Sequence, residues 1–292
     1  MTITLPSPAS PLKIGTRGSP LALAQAYETR SRLAAAFDLP EDAFEIVVIK
    51  TTGDKILDRP LKEIGGKGLF TREIEEDLTT GRIDIAVHSM KDMPTVQPPG
   101  LMLDTYLPRE DVRDAFVTLD GRAFASLAVG AVVGTSSLRR RAQLLWRRPD
   151  LSVVEFRGNV QTRMRKLSDG VAEATFLACA GLNRLAMEEV KRMPLSTEDM
   201  LPAVAQGAIG IERRSDDSRT AEMLSAIHDG ETGHRLAAER AYLAALDGSC
   251  ETPIAGLAEL DGGTLRLRGE ILRPDGSDCL TDADTGAIED AA

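Results

Sequence analysis

Residues 134–165 read GTSSLRRRAQLLWRRPDLSVVEFRGNVQTRMR and concentrate eight arginines in a protein whose formal net charge is -10. Charge gathered against the overall sign favours an oppositely charged partner, because a local field steers and holds anions. Arginine also forms two parallel hydrogen bonds with a carboxylate or a phosphate. The stretch therefore predicts a binding site for anions.

The same stretch predicts two strand-to-helix junctions. Apolar runs at 129–134 and 151–156 are typical of short strands. The first is followed by hydroxyl side chains at 135–137 that favour a helix start, and the second by a turn at 157–159. Apolar residues then recur at helical spacing. Two such junctions in one parallel sheet open at the same edge, where ligands of α/β sheets bind.

The arginines of this stretch fall at those junctions. Arg139 and Arg140 are predicted in the first turn of a helix, where free backbone N–H groups favour an anion. Arg157 and Arg163 flank the start of the next helix. A solvated basic face or a nucleic-acid surface would also explain this charge. The acidic total and the few aromatic residues near the arginines disfavour nucleic acid.

The composition indicates a globular cytoplasmic protein. With 292 residues, 42% of them hydrophobic, the chain is expected to form two or three domains. It has no apolar run of membrane-spanning length, and its N-terminus lacks the pattern of a signal peptide. The three cysteines and three histidines are widely spaced. Their spacing indicates neither a disulfide framework nor a metal site.

Two further segments place polar residues after predicted strands. Arg17 follows a short N-terminal strand, and Ser19 with Pro20 marks a helix start, which makes Arg17 a third predicted anion contact. A buried strand at 83–87 is followed by HSMKDMP at 88–94, where α/β proteins place their chemistry.

Asp92, beside Lys91, is a candidate proton donor in this second segment. The alternative is that Asp92 only caps a turn and that Lys91 is a surface charge. His88 is interpreted as a structural hydrogen bonder rather than a metal ligand.

The segment 51–68 is long, polar and punctuated by glycine and proline. Loops of this kind are usually functional or mobile. Its run GGKG at 65–68 does not have the Walker pattern. We interpret the segment as a mobile lid, with Lys55 and Lys67 as its candidate contacts.

The rest of the chain predicts two lobes and a small third domain. Successive αβ units with two crossings of the chain describe a two-lobed clamp. Residues 1–107 with 208–228 are predicted to form the first lobe and residues 108–207 the second, followed by an α+β C-terminal domain at 229–292. Within the second lobe, a strand at 175–180 and a helix at 181–187 place Arg184 near a helix start.

Cys250 lies in the loop DGSCETP at 247–253 of the C-terminal domain. A cysteine in a loop of glycine, serine and proline is not the usual small buried hydrophobe. It is either an exposed nucleophile or attachment point, or a merely structural thiol.

Taken together, these segments resemble the porphobilinogen deaminase family over residues 14–260. The similar motifs are TRGSPLA at 16–22, GGKGLF at 65–70, DIAVHSMKDMP at 84–94, GTSSLRR at 134–140, RGNVQTR at 157–163, LPAVAQGAIGIE at 201–212 and ERAYLAALDGSCETPIA at 239–255. The resemblance implies an α/β fold with two periplasmic-binding-protein-like lobes, a double crossover and a small α+β C-terminal domain. It also implies a transferase that joins four porphobilinogen molecules head-to-tail into hydroxymethylbilane and releases ammonia.

The resemblance further implies roles for individual residues. Cys250 would hold a dipyrromethane cofactor through a thioether, and Asp92 with Lys91 would be catalytic. The implied cofactor contacts are Arg139, Arg140, Lys91, Ser89, Thr135, Ser137, Arg157, Gly158, Asn159, Arg184 and Gln206. The implied substrate contacts are Arg17, Ser19, Arg157, Arg163 and Arg184.

A monomer is expected, with a small-molecule substrate and with no nucleic-acid, membrane or metal partner. The family's third domain normally ends in a further long helix, so the C-terminal domain of a chain ending at Ala292 is expected to be truncated. A non-catalytic two-lobed anion-binding protein is the alternative. It would explain the lobes and the arginines but not the Cys250 loop.

Overall fold

The computed structural model describes residues 3–55, 71–249 and 252–290, with only the backbone described for Asp54 and Lys55. The chain divides into two compact units. The first unit comprises Met1–Arg109 and Ala208–Gly233, and the second comprises Glu110–Gly207 and His234–Ala292. The chain therefore leaves the first unit and returns to it, as the predicted double crossover requires.

The first unit contains a five-stranded mixed sheet. Its strands are β1 (Leu12–Arg17), β2 (Phe44–Ile49), β3 (Ile85–Ser89), β4 (Leu101–Tyr106) and β10 (Ile209–Arg214). They lie in the order β2-β1-β3-β10-β4. β1 pairs in parallel with β2 and β3, whereas the returning strand β10 is antiparallel to β3 and β4.

Four of the described helices belong to the first unit. They are α1 (Pro20–Phe37), α2 (Thr52–Lys55), α3 (Arg72–Thr79) and α7 (Ser218–Ser225). α1 begins as predicted, since the Ser19 hydroxyl accepts a hydrogen bond from the Ala22 N–H and Pro20 is the first helical residue. The core between helices and sheet includes Ile14, Leu33 and Phe44.

The second unit contains its own five-stranded sheet. Its strands are β5 (Asp114–Thr118), β6 (Val132–Gly134), β7 (Ser152–Val154), β8 (Ala174–Ala178) and β9 (Arg192–Pro194), in the order β7-β6-β8-β5-β9. β6 pairs in parallel with β7 and β8, as predicted for the two junctions. β5 is antiparallel to β8 and β9. Phe116 and Phe176 fill the core on one face of this sheet.

Three helices connect these strands: α4 (Leu138–Arg147), α5 (Val160–Ser168) and α6 (Cys179–Arg184). The starts of α4 and α5 confirm both predicted junctions. The prediction for α6 was wrong in position, because β8 already ends at Ala178 and the helix begins at Cys179. Arg184 is therefore the last residue of α6 and not a residue near its start. The residues on both sides of this boundary, 177–180, read LACA and include no capping side chain that would mark it.

The C-terminal part contains α8 (Gly230–Ala245) and a three-stranded antiparallel sheet of β11 (Ile254–Asp261), β12 (Thr264–Leu272) and β13 (Cys279–Ala287). Ala238, Ala258 and Leu265 form its small core. β13 was not predicted from the sequence. The two sheet lobes and the small C-terminal sheet confirm the predicted fold class. Among the described helices, none is both long and apolar enough to cross a membrane.

Candidate active site

The end of β3 opens into a cavity in the first unit. The chain leaves β3 through a single 3-10 turn, Met90–Asp92. A cavity of about 90 Å³ lies here, and its lining includes Arg17, Ser19, Gln25, Ser89 and Asp92. The two predicted substrate contacts of the first unit, Arg17 and Ser19, are thus brought to the same cavity as the candidate acid. They come from the β1–α1 junction, and Asp92 comes from the β3 end.

Asp92 is exposed at this cavity, whereas Lys91 is half-buried. Within the described part of the chain, no hydrogen bond or ion pair reaches the Asp92 carboxylate, and the turn has no side-chain cap. The geometry therefore does not support a capping role for Asp92. A carboxylate that is open to the cavity is available for proton transfer with a bound molecule.

Gln25 was missed in the sequence and lies beside Ser89. Its amide Nε2 lies 2.9 Å from the Ser89 hydroxyl oxygen, and its Oε1 lies 3.0 Å from the same oxygen. Gln25 is buried on α1, so the contact joins this helix to the end of β3. Its only sequence signal was a polar residue on the apolar face of a helix.

A buried pair lies behind the turn. His88 Nε2 is 3.1 Å from Glu212 Oε2, and both side chains are almost fully buried. The Glu75 carboxyl lies close enough for this pair to change its pKa. Burial raises the pKa of Glu75, and the charge of Glu212 raises it further. The Thr71 hydrogen bond and His88 lower this pKa, but the raising effects are larger. His88 thus acts as the structural hydrogen bonder that the sequence predicted.

Gly210 on β10 also supports the turn. It pairs with His88 in the sheet, and a Cβ placed on it would collide with the sulfur of Met90. The absence of a side chain at Gly210 therefore lets Met90 pack against β10 and hold the turn that ends at Asp92.

The arginine pair of the second unit is buried. The Ser137 hydroxyl accepts the Arg140 N–H and caps α4, so Arg139 and Arg140 lie in the first turn as predicted. Both side chains point inward, with only 4% and 5% exposure. Arg139 Nη1 lies 2.8 Å from Asp114 Oδ2, and Arg140 Nη2 lies 2.6 Å from Asp114 Oδ1. One carboxylate therefore holds two guanidinium groups.

Asp114 is fully buried between these arginines. Burial alone would raise the pKa of its carboxyl, but the charges of Arg139 and Arg140 outweigh this effect and hold the pKa well below its usual range. Gln206 Nε2 donates a further hydrogen bond of 3.0 Å to Asp114 Oδ1. The structure thus brings together three of the predicted cofactor contacts, Arg139, Arg140 and Gln206, around a residue that the sequence did not single out.

One nitrogen atom of the Arg139 guanidinium group has no hydrogen-bond partner among the described residues. Its Nη1 donates to the carbonyl oxygen of Leu201 at 2.9 Å and to Gln143 Oε1 at 3.0 Å. Its Nε is buried and has no hydrogen-bond partner among the residues that the structure describes. A buried donor without an acceptor is costly, and an acetate or propionate carboxylate would satisfy it. The residues present therefore fit a cofactor that carries carboxylates.

The second junction presents further predicted contacts. Asn159 caps α5 by accepting the Thr162 N–H, and Arg163 Nε donates to the carbonyl oxygen of Gly158 at 2.9 Å. Gly158 has a φ of 125°, which favours glycine. Arg157 is half-buried in the turn that precedes α5.

The remaining predicted contacts of the second unit lie near the ends of other elements. Thr135 follows β6, and its hydroxyl accepts the Ser137 N–H at 3.2 Å. Arg184, at the end of α6, donates to the carbonyl oxygen of Gly207 at 3.1 Å. Cys250 and Lys67 lie outside the described residues, as does the side chain of Lys55.

Two family models match this chain. Residues 12–222 match the model described as porphobilinogen deaminase, dipyromethane cofactor binding domain. Residues 234–292 match the model described as porphobilinogen deaminase, C-terminal domain. The second match covers the three-stranded sheet and most of α8.

Individual relatives give the same result. The porphobilinogen deaminase of Paracoccus denitrificans (strain Pd 1222) is 68% identical over 288 residues, which are 99% of this chain and 92% of the relative. The chloroplastic porphobilinogen deaminase of Pisum sativum is 57% identical over 280 residues, 94% of this chain and 76% of the relative. Among solved structures, the periplasmic VFT2 domain of BvgS from Bordetella pertussis is similar, with a TM-score of 0.44, 15% identity and coverage of 79% of this chain and 92% of that one.

The family matches and the two relatives confirm the resemblance seen in the sequence motifs. They favour an enzyme over the alternative of a non-catalytic anion-binding protein, and the matched family carries a dipyrromethane cofactor. This chain therefore belongs to the porphobilinogen deaminase family.

Proposed function

We propose that this chain joins four porphobilinogen molecules head-to-tail into hydroxymethylbilane, with Asp92 as the acid/base and with buried and half-buried arginines as carboxylate-binding groups. The observation that carries the proposal is the cavity at the end of β3. It combines an exposed carboxylate, Asp92, with the guanidinium group of Arg17 and the hydroxyl groups of Ser19 and Ser89.

Asp92 is proposed to act on the nitrogen atoms of the substrate. When the carbon–nitrogen bond of the aminomethyl group breaks, its electron pair leaves with ammonia and positive charge develops on the pyrrole nitrogen. A carboxylate near that nitrogen stabilises the charge and can exchange the proton. Lys91, the neighbouring residue, is proposed to take part in the same catalytic site.

The arginines are proposed to bind the carboxylates. Each porphobilinogen adds an acetate and a propionate, so the growing chain becomes a polyanion. A hydrogen bond to a charged group contributes about 1.5–3 kcal/mol, and several together hold such a chain between additions. The proposed substrate contacts are Arg17, Ser19, Arg157, Arg163 and Arg184. The proposed cofactor contacts are Arg139, Arg140, Lys91, Ser89, Thr135, Ser137, Arg157, Gly158, Asn159, Arg184 and Gln206.

Dipyrromethane, when bound, supplies the end to which the first porphobilinogen is joined. We propose that Cys250 holds it through a thioether. The other two cysteines are poorly suited to this role. Burial, with help from Asp111, raises the pKa of the Cys179 thiol to about 11. Burial also raises the pKa of Cys279, and the charge of Glu270 adds to the effect. A thiol with a raised pKa forms little thiolate, which is the nucleophilic form.

Intact-mass spectrometry of the purified full chain tests this assignment. We expect a covalent two-pyrrole increment that peptide mapping places on Cys250. The matched variants are Cys250→Ala, which should lack the increment and be inactive, and Cys179→Ala and Cys279→Ala, which should keep it. Fully active enzyme with an unmodified Cys250 would contradict the proposal.

The remaining expectations are part of the same proposal. We infer a cytoplasmic monomer without a metal or nucleic-acid partner. The lobe boundaries at 107, 207 and 228 are likewise proposed. Light scattering of the loaded enzyme, that is, the enzyme with its cofactor attached, would give its mass in solution. The mass of a dimer would contradict the proposed monomeric state.

A further inference from the structure

Glu270, on the central strand of the C-terminal sheet, lies against the helix that carries the arginine pair. It is on β12, is 9% exposed, and accepts a hydrogen bond of 2.6 Å from Gln143 Nε2. Gln143 is fully buried on α4, one helical turn after Arg139. A second helical turn further on, Arg147 Nη2 lies 3.4 Å from the other carboxylate oxygen of Glu270. The three α4 residues therefore share one face of the helix.

Gln143 links Glu270 to Arg139. Its Oε1 accepts a hydrogen bond of 3.0 Å from Arg139 Nη1, while its Nε2 donates to Glu270 and, at 3.1 Å, to the carbonyl oxygen of Leu201. A carboxylate only accepts hydrogen bonds, so Glu270 requires the NH₂ end of the amide. The oxygen end must then face Arg139. Exchange of the two ends would place donor against donor at Arg139.

The charges around this link compensate one another in part, since Arg147 also lies against Glu270. Arg139 and Arg140 carry two positive charges, and Asp114 supplies only one negative charge. Glu270 supplies a second in the same buried region. Burial lowers the pKa of Arg139, while the charges of Asp114 and, to a smaller degree, Glu270 act against that effect. Glu270 therefore helps to keep the buried guanidinium group charged.

We propose that Glu270 is a positioning residue for Arg139, because it fixes the amide of Gln143 and so the direction of Nε, the atom without a partner among the described residues. The inference rests on the proposed function of Arg139 as a cofactor contact. It connects the domain that contains Cys250 with the guanidinium group that binds the cofactor's carboxylates. A substitution that weakens this connection should slow attachment of the cofactor while it leaves the fold intact.

The test is the rate at which the cofactor-free full chain gains the two-pyrrole increment from porphobilinogen, followed by intact mass. Glu270→Gln keeps the shape but gives Gln143 a partner that can also donate. We expect loading to slow about five- to tenfold, the size of an ordinary coupling between neighbouring side chains. Glu259→Gln is the matched control, because Glu259 is an exposed acid on the adjacent strand β11 that pairs with Arg268. It should load at the normal rate.

A double-mutant cycle separates positioning from general loss of packing. Gln143→Met removes the amide while keeping a similar volume, and it should slow loading by itself. If Glu270 acts through Gln143, adding Glu270→Gln to Gln143→Met should change the rate by less than about twofold. If the double variant instead slows loading by the product of the two single-variant factors, the inference is overturned. The cycle remains informative if one single variant folds poorly, because thermal unfolding of each variant is measured beside loading.

Arg139→Leu distinguishes this inference from the proposed function. Slow loading by Arg139→Leu together with normal loading by Glu270→Gln would overturn the positioning role of Glu270 alone. Normal loading by Arg139→Leu would overturn the proposed role of Arg139 and the inference with it. Slow loading by both variants, with the cycle as expected, supports both.

Discussion

In the first unit the candidate acid, Asp92, lies exposed on a turn, and the hydrogen-bonded pair His88–Glu212 is buried behind it. In the second unit the candidate binding groups, Arg139 and Arg140, are themselves buried around one carboxylate. In the first unit the candidate catalytic group is therefore exposed, and the residues that support its turn are buried. The second unit buries the binding groups together with their counter-charge.

This difference follows from what each group is proposed to do. A proton-transferring group must reach the bound molecule and exchange its proton, so it cannot be closed off. A binding group gains from a fixed position, because less side-chain freedom is lost when the ligand arrives. Burial fixes an arginine but removes its water, and the loss must be compensated by a paired charge. Asp114 provides that charge.

The largest expected effect is the loss of the exposed acid. Asp92→Asn should lower kcat by about 10²- to 10⁴-fold, because the amide cannot transfer the proton. The fold should be retained, since the carboxylate makes no hydrogen bond with the described residues. Steady-state kinetics of the loaded enzyme measure this. Asp42→Asn, an exposed acid in the 3-10 turn Glu41–Ala43 of the same unit, is the control and should be nearly normal.

The next effect breaks the buried arrangement of the second unit. Asp114→Asn leaves Arg139 and Arg140 buried without their shared counter-charge, which should reduce the free energy of unfolding by about 3–5 kcal/mol. Urea unfolding of the cofactor-free chain measures this. Asp150→Asn removes the partner of the more exposed Arg148 and should cost far less. Equal losses in the two variants would contradict the comparison.

The Asp114 carboxyl also determines how the free energy of unfolding changes as the pH falls. The pKa of Asp114 is lower in the folded chain than the usual value of about 3.9. Its stabilisation is therefore complete above the unfolded pKa and is lost as the pH falls through the folded one. The difference in unfolding free energy between wild type and Asp114→Asn should stay constant above about pH 5 and shrink below about pH 4.

The smallest effect sharpens the description of the first unit. Glu212→Gln removes the charge that helps to raise the pKa of Glu75, so that pKa should fall towards its ordinary value. Carbon-13 NMR titration of labelled glutamate carboxyls would show the change. Burial is the larger cause and remains, so the pKa should stay above the usual one. No movement of the Glu75 titration would show that Glu212 does not act on it.

The sequence predicted the features that depend on local residues. The helix starts at Pro20, Leu138 and Val160 were predicted because capping side chains and helical spacing lie within a few residues. β13 was missed because its residues are almost all exposed, and it is held by backbone pairing with β12. An edge strand of that kind has no alternating pattern to find.

The site was predicted in its exposed and basic members but not in its buried acids. Asp114 stands at the end of the charged run EDVRD at 110–114, and charged neighbours of this kind do not indicate a buried residue. Its burial depends on arginines that follow 25 and 26 residues later, which no local pattern reveals. Glu212 and Glu270 were missed for the same reason, since each is paired with residues more than a hundred positions away.

The return of the chain to the first unit has a consequence during synthesis. β10 occupies the place between β3 and β4, yet the ribosome delivers it roughly 100 residues after β4, which takes about 5–20 s at ordinary elongation rates. During that interval β3 and β4 lack the strand that joins them. The backbone N–H and C=O groups that will pair with β10 have no partner strand yet. The strands of the second unit's first sheet all lie within 114–194 and are complete before β10 emerges. Of the two five-stranded sheets, the one whose strands are made first is therefore the one that is completed last.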